Sequence, residues 1–426
     1  MIRRISSILS IVFILTGSAR AQEVKAGWGY KLGVEERFRY EYQKNFNFSD
    51  ALKDDGGLFF NRARVNAKLY LTGENLKDMF EIFVEGLDAQ VGGYRINAVT
   101  SQKDNFDFHQ GYLKIYDIGN AKLDATLGRQ ELKYGKGRLI WAPTWSNRIR
   151  SFDAGVLHYA PGAFYGDILY GQDVKYDDPN FNASTDEEYL GGFYGGYRKD
   201  KVSPLFEGYF LTQLVETGTS NIRRYTIGGQ IEGRIFDDII WNLELPYQFG
   251  TTGSLDISAY ALHFDVSKVF NKWRGEPKFM LTFELASGDK KSGDNRSNTF
   301  NPLYQSTHDP YGIMDFFRWQ NMREVEASVV LSISSKFRLQ PQVDFFWLDS
   351  TKDSWVNSTG AVLRSGTTRN VSSFVGIESS LRAYYDITKN IKIEAGYAHF
   401  FSGGFVCDTG ACDDADWAYS QINFKY

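Results

Sequence analysis

Apolar and polar residues alternate with a period of two along most of this chain. In FFNRARVNAKLYL, residues 59–71, one face carries Arg62, Arg64, Asn66 and Lys68, and the other Ala63, Val65, Ala67, Leu69 and Leu71. Successive side chains of an extended strand point to opposite faces, so this pattern predicts a strand with one apolar and one aqueous side. WNLELPYQF, residues 241–249, repeats it with Trp241, Leu243, Leu245, Tyr247 and Phe249 on the apolar face and Asn242, Glu244 and Gln248 opposite. KFMLTFEL, residues 278–285, does so with Phe279, Leu281, Phe283 and Leu285 against Lys278, Thr282 and Glu284. A soluble sandwich would show the same alternation, so single strands do not decide the fold.

The spacing of the strands decides more. Eighteen are expected, at 28–42, 59–72, 79–88, 107–117, 122–132, 152–160, 164–173, 188–198, 204–213, 222–235, 240–250, 254–268, 277–286, 318–333, 337–348, 371–385, 391–402 and 416–425. Every second connection is a tight turn such as DIGNA, APGA or DITKN, and those between are mostly long, polar and rich in Gly, Asn, Asp and Ser. Alternating short turns and long loops suit an all-β chain folded as a transmembrane antiparallel β-barrel, with short periplasmic turns and long extracellular loops. An even strand count returns both termini to the periplasmic side. Two fused soluble sandwiches, the other all-β solution, predict no such two-sided alternation. No shift of composition marks a second domain, so residues 22–426 read as one barrel domain.

Composition fits the barrel. Aromatic residues make up 16% and Gly outnumbers Pro 41 to 9, while no later stretch approaches the 18 apolar residues of a helical span. Residues 1–21 read as a signal peptide: Arg3 and Arg4, the apolar ISSILSIVFIL, then Ala19-Arg20-Ala21 as a cleavage site. Removing Arg3, Arg4 and Arg20, with no acid among residues 1–21, shifts the net charge from −4 to −7, which argues against a nucleic-acid partner. The expected location is the bacterial outer membrane, among lipid and lipopolysaccharide. Cys407 and Cys412, close together in CDTGAC, read as a local disulfide staple in an exported protein.

A water-facing lumen tolerates charge that lipid does not, so inward positions are where function is expected. Alternation turns Arg37, Arg39, Arg62, Arg64 and Lys68 inward on the first two strands, and Glu232, Glu244, Glu284, Glu324 and Glu326 inward later. The result is a basic wall facing an acidic one, in which an arginine row favours anions; cross-lumen pairs that merely brace the barrel are the alternative. The densest basic and aromatic stretch is GRQELKYGKGRLIWAPTWSNRIRSF, residues 128–152, in a loop long enough to bend into the pore mouth. Guanidinium groups bind carboxylates bidentately, so an anion-attracting constriction is expected there. A basic loop on lipopolysaccharide or a solvated face would read the same way.

Three stretches resemble the alginate-export porins of bacterial outer membranes: GRQELKYG to NRIRSFD (128–153), ELASGDKKSGDNRSNTFNPLYQSTHDPYGIMDFFRWQN (284–321), and GYAHFFSGGF with DDADWAYSQINF (396–424). The resemblance implies an eighteen-stranded barrel with an arginine-lined pore that passively passes a negatively charged polyuronate. Carried over by motif, it names Arg129, Arg138, Arg148 and Arg150 as solute-binding, then Arg318 and Asp315 of DFFRWQN. Where the family motif often has an acid after the glycine of GRQ-x-x-x-G, this chain has Lys136. Cargo varies within such a family, so the solute does not follow from the fold.

Other chemistry has less support. His109, His158, His263, His308 and His399 show no ligand spacing, and His308-Asp309 is the nearest approach to a hydrolytic pair. Asp289, Asp294 and Asp309 offer oxygens of the kind Ca²⁺ takes in the 287–317 loop, but without the D-x-D-x-D-G arrangement they read as solvated turns, and no cofactor is expected. The function expected is a passive channel, not an enzyme, for an anionic oligo- or polysaccharide or another organic anion, with export dependent on periplasmic machinery. The alternative is a structural or adhesive barrel with a blocked lumen, whose loops bind lipopolysaccharide or a surface partner.

Overall fold

The computed structural model describes residues 26–426 apart from 53, 75, 76, 94–101, 179, 219, 220, 237 and 292, and the expected signal peptide lies outside the described residues. All eighteen strands form: β1 (Gly27–Lys44), β2 (Gly56–Thr72), β3 (Asp78–Gly93), β4 (Asp104–Ile115), β5 (Leu123–Gln130), β6 (Phe152–Tyr159), β7 (Phe164–Lys175), β8 (Ala183–Tyr197) and β9 (Leu205–Val215). They continue as β10 (Ile222–Ile235), β11 (Ile239–Thr252), β12 (Leu255–Val269), β13 (Lys278–Ala286), β14 (Met322–Ser332), β15 (Phe337–Trp347), β16 (Phe374–Asp386), β17 (Ile391–Ser402) and β18 (Ala415–Lys425). Each pairs antiparallel with its neighbour in the chain. β1 also pairs with β18, from Glu35↔Lys425 to Lys44↔Asp416, which closes the sheet and removes its edges.

The largest boundary difference that touches the site is at β14, which starts at Met322 and not at 318. Residues 318–321 leave the wall because Asn321 is held by a neighbouring loop: its side chain donates to the carbonyls of Ser350 and Ser354 and accepts from the Ser350 N–H. Several small elements have no counterpart in the sequence reading. Arg296–Ser297 runs parallel to β12, Trp355–Val356 pairs with Val362–Arg364, and α1 spans Gly404–Thr409.

One rim carries the short connections that follow β2, β4, β6, β8, β10, β12, β14 and β16; the opposite rim carries the long connections that follow β5, β13 and β15. The long ones fold inward and join. Trp141 N–H donates to the Tyr304 carbonyl at 2.9 Å, Tyr304 N–H to Leu139 at 2.8 Å, and Ser306 N–H to Gly137 at 2.9 Å. The Trp355 indole N–H donates to the Phe316 carbonyl at 2.9 Å, tying in the 348–373 loop. Phe48, Ile140, Phe300, Trp319, Phe346, Phe400 and Phe405 are buried in one cluster, so the core of this protein is a plug inside the barrel. The outer face is apolar: Leu127 is 68% exposed, Ile168 61% and Leu281 57%, as a wall solvated by lipid requires.

Candidate functional site: an arginine collar around a lumenal turn

β1 and β2 place Arg37, Arg39 and Arg62 on adjacent inward positions, with Arg37 and Arg62 directly opposite in register. All three are at most 4% exposed. They converge on the turn 144–147 of the β5–β6 connection. Arg37 donates to the carbonyls of Thr144 (3.0 Å), Trp145 (2.7 Å) and Ser146 (3.4 Å) and to Asn147 Oδ1 (3.1 Å). Arg62 donates to Thr144 (2.6 Å) and Ser146 (2.8 Å), and Arg39 to Trp145 (2.7 Å). Asn147 fixes the turn from below by donating to the Asn61, Gln90 and Gln102 carbonyls at 3.1–3.2 Å.

Trp145 sits between a guanidinium group and an imidazole ring. The Arg39 guanidinium lies 3.9 Å above its ring centre, and the His308 ring stacks on it at 3.9 Å with an 11° interplanar angle. His308 Nδ1 is 2.8 Å from Asp315 Oδ1. Enclosure in the barrel raises the Asp315 pKa, while the neighbouring His308 works the other way. On one side of Trp145 lies a lumenal chamber of about 1000 Å³, lined by Arg37, Arg62, Arg138, Glu284 and Arg382 among others. On the other lies a chamber of about 350 Å³, lined by Arg39, Glu41, Asp315 and Ser358. Both include Trp145, so the turn is the partition between them.

Arg150, Arg224 and Arg318 form a second basic group, drawn from the plug and from wall strand β10. Arg318 is pushed down to about 10 by burial, then by Arg150 and Arg224 beside it. Among the described residues Arg150 pairs with Asp173 alone, at 3.7 Å, and its guanidinium lies 5.4 Å over the Tyr304 ring. Arg224, on β10, donates to Gln213 at 2.5 Å. Arg150 Nη1, Arg224 Nε and Arg318 Nε are buried without a partner among the described residues. Asp173 is itself paired with Lys175 at 2.8 Å, so the three guanidinium groups leave an excess of positive charge.

The remaining arginines are placed differently. Arg64 is braced between Glu85 (2.6 Å) and Glu131 (2.7 Å). Arg138 anchors its loop to the wall through Glu244 (2.5 Å), Asn242 (2.6 Å) and Gln230 (3.2 Å). Burial opposes its charge, but Glu244 and Glu284 more than offset this and its pKa lies above the ordinary value. Arg148 lies 4.0 Å over the Tyr176 ring, and burial lowers its pKa. Arg129 is not brought into the lumen. Gly128 (φ +127°) faces Gly111, where a Cβ would strike a carbonyl, and Arg129 shares the outward parity of the exposed Leu127. There it pairs bidentately with Asp153 at 2.8 and 2.9 Å. Lys136, the departure from the family motif, pairs with Glu232 at 2.6 Å.

The sequence reading did not single out Arg224 or Arg382, although both have inward parity; Arg382 binds Asp309 (2.5 Å) and Gln342 (2.9 Å). Trp145 as a partition had no sequence signal, since it depends on loop pairing across the lumen. Cys407, within α1, is bonded to Cys412 just past its end, as expected of a local staple. Asp289 and Asp294 accept from N–H groups of their own turns, and Asp309 pairs with Arg382, so the three are not gathered into one cation site.

The alginate-export family model matches residues 30–417. No curated protein sequence matches the chain. Among solved structures, Acinetobacter baumannii OccAB1 superposes with a TM-score of 0.64 at 11% identity, covering 96% of this chain and 99% of that one. Pseudomonas aeruginosa OccK11 (OpdR) gives 0.60 at 12% identity, with the same coverage. Pseudomonas aeruginosa OccK2 (OpdF), solved in complex with glucuronate, gives 0.59 at 10%, covering 93% and 97%. At these identities the likeness shows the shared barrel, while the family match spans nearly the whole barrel. The chain belongs to the alginate-export family, as an eighteen-stranded channel-type barrel of the bacterial outer membrane.

Proposed function

We propose that this protein is a passive channel for an anionic oligo- or polysaccharide of the polyuronate class, gated by the 144–147 turn. The observation that carries this reading is the set of arginine donors converging on backbone carbonyls of one turn between two chambers. Those carbonyls hold the positions that carboxylate oxygens of a passing uronate would take. A guanidinium–carboxylate hydrogen bond is stronger than one to a neutral acceptor, so an anion competes for the collar where a neutral sugar does not. The unshared charge at Arg150, Arg224 and Arg318 attracts solutes of the same sign. The glucuronate bound to the structurally similar OccK2 is of that chemical class. In this reading the short turns face the periplasm and the long loops the exterior. Direction of transport comes from periplasmic partners, because a passive pore has none.

The packed plug favours a second reading, a closed barrel whose basic loops hold lipopolysaccharide. Recording from the purified protein in planar bilayers separates the two. The channel reading expects anion-selective conductance, blocked by oligouronate but not by neutral oligosaccharide of equal length, with selectivity reduced in Arg318→Gln. Absence of conductance at any voltage, with lipopolysaccharide binding retained, would sink it.

A further inference from the structure

Four neighbouring strands bring carboxylates side by side on the lumenal face, away from the arginine collar. The register sets Glu284 opposite Glu324, Glu326 opposite Asp344, and Asp344 opposite Glu378. Like charges directly opposite one another destabilise a sheet, and here three such pairs adjoin. None of the five is more than 7% exposed, so water does not screen them. One carboxylate oxygen each from Glu324, Glu326 and Asp344 lies within 4.8 Å of the other two.

Several of their oxygens lack donors, although Asp344 Oδ1 accepts from Gln342 Nε2 at 2.9 Å and Glu284 Oε1 lies 2.5 Å from His263 Nδ1. Both oxygens of Glu324, Asp344 Oδ2 and Glu284 Oε2 are buried without a partner among the described residues. Of the basic groups nearby, Arg382 is bonded to Asp309 and Gln342 and Arg138 to Glu244, Asn242 and Gln230, while His263 meets Glu284 alone of the five, together with Asp265. Glu378 differs, because it accepts from the Ile313 and Met314 N–H groups of the plug. The plug also supplies an independent sign of a ligand. Tyr311, 3% exposed, brings a hydroxyl with no partner among the described residues. Burial, then the charges of Glu284 and Glu324 among its neighbours, hold that hydroxyl protonated well past its ordinary range.

We propose that Glu324, Glu326 and Asp344, joined by the Tyr311 hydroxyl, bind a divalent cation whose ligand chemistry is that of Ca²⁺. The donors are all oxygen, as hard cations require, and Ca²⁺ gathers six to eight oxygens at about 2.3–2.6 Å. Two oxygens on opposite sides of such an ion stand about 5 Å apart by the same distances, which matches the spread of this cluster. The ion supplies the positive charge that the adjoining acid pairs lack, and it ties the plug at Tyr311 to β14 and β15. The other acidic group with a histidine, Glu85–His109–Glu131, is already compensated by Arg64 and Lys133. It serves as a control.

The test uses the full barrel, refolded in lipopolysaccharide-free detergent micelles and stripped with a chelator. Equilibrium dialysis against labelled Ca²⁺ is expected to show one tight equivalent, lost in the Glu324→Gln, Asp344→Asn double variant and retained in Glu131→Gln. Thermal unfolding is the second measurement. Ca²⁺ should raise the melting temperature of the stripped wild type and leave the double variant unmoved. That variant should melt above the stripped wild type, since the substitutions remove the repulsion, so its folding is not in question. A stripped wild type that neither binds Ca²⁺ nor shifts, its melting temperature rising instead as pH falls, would show that protons alone hold the cluster and overturn the proposal. Equal Ca²⁺ binding by the double variant would overturn it as well.

Discussion

Replacing Arg37 by alanine tests the collar most directly. Arg37 makes four of the contacts that dock the 144–147 turn. The substitution orphans few acceptors, because Arg62 still donates to Thr144 and Ser146, and Arg39 to Trp145; Asn147 Oδ1 alone loses its arginine. A hydrogen bond from a charged donor contributes about 1.5–3 kcal/mol. With the shared acceptors still served, and with the crowding of Arg37 against Arg62 relieved, a net loss of about 2 kcal/mol in docking is a reasonable order of magnitude. At about 1.4 kcal/mol per decade, that corresponds to roughly a 30-fold gain in the undocked fraction.

The assay is single-channel recording at fixed voltage, with the open fraction read from the current histogram. Arg37→Ala should dwell in a larger-conductance state roughly 30-fold more often than wild type, by that same arithmetic. Its preference for anions should fall, because one lumenal charge is gone. The two changes together matter: a loosened barrel would lose stability without a defined larger state. An unchanged histogram would refute the idea that the turn limits passage. So would a closed Arg37→Ala channel whose barrel melts normally.

Three further outcomes follow from individual residues. Asp315 has its pKa raised above the usual 3.8, chiefly by burial, so its share of stability is complete below pH 3.8 and is lost as pH rises through the folded value. Asp315→Asn should therefore melt above wild type at pH 7 and converge with it below pH 3.8; convergence at neutral pH would contradict this. Leu281, 57% exposed in mid-strand on the outer face of β13, should cost about 2–4 kcal/mol when changed to arginine, measured by unfolding from bilayers, whereas Lys136→Ala at an exposed pair should cost under about 1 kcal/mol. Opening the Cys407–Cys412 link, which closes a loop with a sequence separation of 5, should cost about 2 kcal/mol of local order. Hydrogen exchange should then rise in residues 403–414 while β17 and β18 stay protected.

The wall was legible because a barrel strand is read by parity alone. Val65, Ala67 and Leu69 on one face of β2 and Arg62, Arg64 and Lys68 on the other fix which side meets lipid before any partner is known. The same rule, applied to Leu127, turns Arg129 outward, yet the motif that contains it suggested the pore. Parity was the better guide there, since a motif records which residues recur and not which face they occupy. The plug was not legible. It depends on the pairing of Ile140 with Tyr304, far apart in sequence and lying in loops without periodicity. Arg318 shows the consequence: its residue type suggested an anion site, but its charge excess comes from Arg150 and Arg224, which only the folded loops bring near.

The arginines of the lumen divide by what they are bonded to, and that division bears on mechanism. Arg64 and Arg138 hold carboxylates of the wall, at 2.6 and 2.5 Å. Removing one partner would leave an uncompensated charge, so these pairs brace the barrel at all times. Among the described residues Arg37 holds only neutral acceptors, and Arg39 and Arg62 each hold a carbonyl as well as an acid. A carboxylate can displace those carbonyls without stranding a charge, since the turn's own groups return to water as they leave. On this reading, docking of the turn and recognition of the anion are a single equilibrium over the same donors. Oligouronate at low concentration should then raise the open fraction before higher concentrations block current, and a neutral oligosaccharide should do neither. A monotonic block from the lowest concentration would separate recognition from gating and place the selectivity at Arg150, Arg224 and Arg318 alone.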